Sequence, residues 1–121
     1  MSILSELKEI LSSLGIPIET GVFSSTPPEE YLVLTPITDG LDYFADNLPQ
    51  IEISEVRISL FTKSNYTQRK SQITELLLRS DFIITQRQYI GHEDDIGYHH
   101  YSIDTKKMYN LQFTNYNCWM S

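Results

Sequence analysis

The sequence predicts an α+β domain in which an antiparallel β-sheet, a meander closing on a C-terminal hairpin, packs against two α-helices. Three observations carry that prediction. Two segments place apolar residues at three- and four-residue spacing, several others alternate with period two, and no linker or internal repeat divides the chain.

Ile3, Leu4, Leu7, Ile10, Leu11 and Leu14 fall on one stripe of a helix, with Glu6, Lys8, Glu9, Ser12 and Ser13 outside it. Ser2 is placed to cap this helix and Gly15 to end it. Ile16 to Phe23 reads as a short extended segment. Ser24 to Pro28 reads as a loop, because its two prolines lack the donors a strand ladder needs. Tyr31 to Thr35 is a buried strand that Pro36 ends or edges. A loop is then expected from Asp39 to Pro49, in which Asp39, Asp42 and Asp46 surround the adjacent aromatics Tyr43 and Phe44. Those aromatics suit either a contact surface or a lid folded back over the core.

From Ile51 to Thr62 the alternation is clearest, with Val56, Ile58 and Leu60 on one face and Glu55, Arg57 and Ser59 on the other. Ile51 and Ile53 have the opposite parity, which predicts a bulge near Ser54. Asn65 followed by Gln68 opens a second helix whose apolar stripe is Tyr66, Ile73, Leu76 and Leu77 and which ends near Ser80. Phe82 to Ile90 is a strand, Gly91 to Gly97 a polar turn, and Tyr98 to about Met108 the antiparallel partner. Residues 1–109 are thus expected to form one domain and 110–121 a C-terminal arm without periodicity.

Charge and composition narrow the function. Sixteen acidic residues against nine basic ones give a net charge of -7, so a phosphate backbone is repelled and specific nucleic-acid binding is not expected. Nowhere do about 18 apolar residues run together, and the N-terminal stripe is interrupted by charge, so neither a membrane partner nor a secretory leader is expected. The single cysteine, Cys118, excludes an internal disulfide and suits a reducing compartment.

All three histidines lie between His92 and His100, beside Glu93, Asp94 and Asp95. A metal would need these groups to converge on one point. His99 and His100 are neighbours on a strand and face opposite ways, so no metal and no cofactor is expected. Cys118 has no histidine placed beside it, and there is no phosphate loop and no His-Glu-x-x-His helix. No catalytic residue is assigned, and the chain is expected not to be an enzyme. Aromatics make up 12% of the residues. Because aromatics concentrate in interface centres, the residues expected at a protein interface are Tyr43, Phe44, Asp46, Phe113, Tyr116 and Trp119. Packing of Phe113 to Trp119 back on the domain is the alternative.

Three stretches together carry a family resemblance: Ile18 to Phe23 with Tyr31 to Pro36, then Glu55 to Phe61, and finally Tyr89 to Asp95 with Gly97 to Tyr101. Over about residues 1–109 the chain resembles the tail terminator and tail-completion proteins encoded by long-tailed phages and prophages of Gram-positive bacteria. The resemblance implies a structural virion protein located in the tail, and in the host cytoplasm during assembly. It implies a homo-hexameric ring at the head-proximal end of the tail tube, with the major tail tube protein on one side and the head-closure or connector protein on the other. A neck or head-completion protein of the same particle is the first alternative. A small metal-dependent enzyme and a host-directed binding module are the remaining ones.

Overall fold

The computed structural model describes residues 2–20, 28–45, 48–93 and 97–110. Helix α1 spans Ile3–Leu11 and runs on into a 3-10 turn, Ser12–Leu14. The Ser2 hydroxyl accepts the Ser5 amide at the start, and Gly15 closes the end in the left-handed region, at φ 74°. Strands β1 (Ile18–Thr20), β2 (Glu30–Ala45) and β3 (Leu48–Thr62) follow. Helix α2 (Tyr66–Arg79) and strands β4 (Ile83–Glu93) and β5 (Tyr98–Asn110) complete the chain.

Helix α2 is bounded at both ends by specific hydrogen bonds. The Asn65 side chain accepts the Thr67 and Gln68 amides. After Ser80, Asp81 turns left-handed at φ 63°, its amide donating to Leu78 and that of Phe82 to Leu77. This is a Schellman ending, built on an aspartate instead of the usual glycine, and Leu77 and Phe82 are both buried beside it.

The five strands form one sheet in the order β1-β2-β3-β5-β4. Strand β5 enters between β3 and β4, so the order departs from a strict meander, and the short β1 is parallel to β2 while every other pairing is antiparallel. Both helices cover one face. Val56, Ile58 and Leu60 join Leu32, Leu34, Tyr101 and Ile103 in a core with Leu7, Leu11, Ile73 and Leu77. The alternation of β3 is therefore the pattern that fixes its register against the helices.

Three local expectations are corrected. Strand β3 pairs with β5 without interruption from Ile51 to Thr62, so it holds no bulge at Ser54. The extra residue is Ile37 on β2, between the pairs Pro36 with Val56 and Thr38 with Glu55. Pro36 does not end β2 either. A proline is accommodated there because it lies next to the bulge and beyond Leu34, the last residue of β2 that β1 pairs, and β2 continues to Ala45. Finally, Gly91, His92 and Glu93 belong to β4 and not to a turn.

One polar junction fastens α1 to the sheet. The Lys107 ammonium donates to Glu6 at 2.8 Å and to the Ser80 carbonyl at 3.4 Å, and lies 4.7 Å above the Phe82 ring. Beside it, burial first and the Glu6 charge second push the Tyr109 hydroxyl up to about 12 from its ordinary 10. Below pH 10 this contribution to stability is fully present. As pH rises from 10 toward 12 the unfolded chain loses the proton that the folded one keeps, so stability falls across that window. Alkaline unfolding curves are expected to show this loss in the wild type and a smaller one in Tyr109→Phe. Equal alkaline sensitivity in the two proteins would remove the assignment.

Candidate assembly surface

The β2–β3 hairpin is longer than the helices that cover it. Its first half lies over the core, and past the bulge the ladder continues with Asp39 opposite Ser54, Gly40 opposite Ile53 and Phe44 opposite Pro49. The expected loop from Asp39 to Pro49 is thus mostly paired strand. Tyr43 and Phe44 stand on β2, and their side chains lie outside the described residues, as do Asp46, Phe113, Tyr116 and Trp119 entirely. The structure therefore brings none of these six into a described contact surface. Alternation was hard to see here because Pro36, Gly40 and three aspartates interrupt it, while the ladder is imposed by β3, whose own pattern is strong. The Asp39 carboxylate has a local role, accepting the Ser54 hydroxyl at 2.9 Å.

At the opposite end, β4 and β5 carry the histidine-rich motif. His99 and His100 do face opposite sides of the sheet. On the helix side His99 takes part in a hydrogen bond between its Nδ1 and the Tyr89 hydroxyl at 3.0 Å, and its ring lies 5.3 Å from that of Tyr66. On the other side His100 stacks on Phe61 at 4.2 Å. What the spacing did not disclose is that His92 is the cross-strand neighbour of His99, with ring centroids 4.6 Å apart. Extending β4 through His92 would have put it on a strand, but its pairing with His99 follows only from the hairpin's register. Among the described residues no three His, Cys, Asp or Glu side chains converge to hold an ion, and the side chains of Glu93, Asp94 and Asp95 lie outside the described residues.

The face away from the helices has its own order. Tyr31 stacks on Phe61 at 4.8 Å, and Tyr98 meets both rings edge-on while its hydroxyl donates to the Pro28 carbonyl. Further along the same face Arg57 grips Asp104 with two bonds, Nε to Oδ1 at 2.9 Å and Nη2 to Oδ2 at 3.2 Å. The Asp104 carboxylate, through its hydrogen bonds and then its charge, holds the Arg57 guanidinium above its ordinary value. Thr85 donates to Glu55 at 2.8 Å and ties β4 to the same polar strip. Among the described residues, Glu55 also lines a concavity with Asp39, Ser54 and the start of α1, and Thr74, Leu78, Arg79 and Arg87 line an open groove along α2.

Large apolar side chains left exposed gather at the sheet's edges. Ile37 and Leu41 are on β2 and Ile83, Tyr89 and Ile90 on β4, all at least 40% accessible. Such residues on edge strands are sites of pairing with another chain unless something blocks them. Sequence patterning could not locate them, because it does not say which strands end up outermost. Among the described residues no helix is long and apolar enough to cross a membrane. Compared with known proteins, the chain matches no family model and no curated relative.

Proposed function

We propose that this chain is a structural subunit of a long-tailed phage or prophage particle, a tail terminator or tail-completion protein that forms a ring at the head-proximal end of the tail tube and joins tail to head. The observation that carries the reading is where the described residues of the resembling stretches fall: each of the five strands carries part of one. The surface chemistry supports it. Exposed apolar residues lie on strand edges, where subunits join, and the acidic charge of -7 suits a ring through which DNA must slide without sticking. In this reading the ring's neighbours are the tail tube protein and the head-closure protein, and the subunit performs no catalysis.

Deleting the gene in an inducible lysogen and imaging the lysate by negative-stain electron microscopy tests the proposal. The expected result is tails of irregular, excessive length without heads. Tails of normal length beside leaking, unjoined heads would move the subunit to the neck, and a normal yield of intact particles would overturn the reading.

A further inference from the structure

Two edges of the sheet share features that point to each other. On β2, strand β1 covers only Leu32 to Leu34, and among the described residues no strand pairs with the outer side of Thr38–Ala45. On the opposite side β4 presents eleven residues, Ile83–Glu93, whose outer side is likewise uncovered by any described strand. Of the seven large apolar residues exposed among the described ones, five lie on these two strands. We infer that the chain associates with further copies of itself head to tail, the Thr38–Ala45 edge of β2 in one subunit pairing with the β4 edge of the next.

Strand polarity supports this occupant. Strands β2 and β5 run one way and β3 and β4 the other. A neighbour related by rotation about an axis along the strands therefore brings β4 against β2 antiparallel, the better-bonded arrangement. Charge opposes the like-with-like alternative on one side: residues 35–45 carry Asp39 and Asp42 with no lysine or arginine, so two β2 edges repel, whereas β4 carries Arg87 and one carboxylate, Glu93. Pairing β4 with β4 would leave the apolar β2 edge exposed, and only the mixed contact covers both.

The same geometry dictates a stagger. Gln88 is level with Val33, through Ser102 and Ser59, and at that level the β2 edge is already occupied by β1. To reach Thr38–Ala45, a neighbour's β4 must slide by about eight residues, roughly 27 Å. A constant stagger between strands is what tilts a sheet and lets it close on itself. A heterologous contact of this kind leaves one free edge of each kind on a pair, so unless a rotation of 180° closes it, association continues to a larger ring or an open helix.

The test uses the full chain under reducing conditions, with sedimentation velocity and native mass spectrometry up to about 1 mM, a range that detects contacts of millimolar affinity. Leu41→Lys disables the β2 edge and Ile90→Lys the β4 edge. The wild type is expected to form species larger than a dimer. Each variant alone is expected to be monomeric, and an equimolar mixture of the two to stop at a heterodimer of twice 14.1 kDa, because one intact edge of each kind remains. Where circular dichroism shows a variant to be unfolded, Ile37→Lys or Ile83→Lys replaces it. A wild type that stays monomeric, a single-edge variant that still dimerises, or a mixture that stays monomeric overturns the inference. The contact is a property of the chain itself, so its failure leaves the deletion phenotype, and with it the tail reading, to stand or fall separately.

Discussion

Leu60→Ala is expected to destabilise the domain by about 2–5 kcal/mol, a large share of the 5–15 kcal/mol that a domain of this kind possesses. Leu60 is fully buried in β3, with Leu32 of β2 on one side and Tyr101 of β5 on the other, directly under the helices. Truncation removes the transfer free energy of three carbons and leaves a cavity that three strands and two helices cannot close without breaking the ladder. At about 4 °C per kcal/mol, the thermal midpoint should fall by roughly 10 °C or more. Leu41→Ala is the matched control. Leu41 is 54% exposed, so its loss should stay within about 0.5 kcal/mol. Equal midpoints for the two variants would mean that the core is not where the alternation of β3 places it.

That alternation is also the reason much of the fold is legible in the sequence. Both helices, their caps and the inward set Val56, Ile58 and Leu60 follow from residue patterning, because one-sided burial has to be written into the chain with period 3.6 or 2. Less legible was the stretch from Pro36 to Pro49, where β2 takes its strand geometry from its partner. Register against a well-patterned neighbour outweighs the local signals of a proline, a glycine and two aspartates, Asp39 and Asp42. Strand order was illegible for a related reason. Nothing local records that β5 inserts beside β3 and leaves β4 outermost, yet that order decides that Ile83, Tyr89 and Ile90 sit on an edge. The His92–His99 pair was hidden for the same cause, since cross-strand neighbours exist only once the register is set.

The second large effect is expected at the Arg57–Asp104 pair, and it should be asymmetric. Asp104 lies on the sheet face away from the helices with a side chain only 7% exposed, while the Arg57 side chain is 50% exposed. Removing the arginine therefore leaves a desolvated carboxylate that has lost both of its charge-assisted bonds, whereas removing the aspartate leaves a guanidinium already half in water. Losing one partner of a buried pair costs about 3–5 kcal/mol, and the exposure of Arg57 lowers the expected figure for Arg57→Ala to roughly 2–3 kcal/mol. Asp104→Ala should cost less, about 1–2 kcal/mol, most of it lost packing and one bidentate contact. Replacing both together, Arg57→Met with Asp104→Leu, takes the charge out of the buried position altogether and should recover much of the loss, because a buried ion pair exchanged for apolar groups of similar size is often close to neutral. Urea titration of the four proteins measures this directly. If the doubly substituted protein is as unstable as the two single losses added together, the two side chains are not coupled and the stability of this sheet face comes from elsewhere; if Arg57→Ala is the milder of the two single changes, the Asp104 carboxylate does not depend on the arginine for its burial.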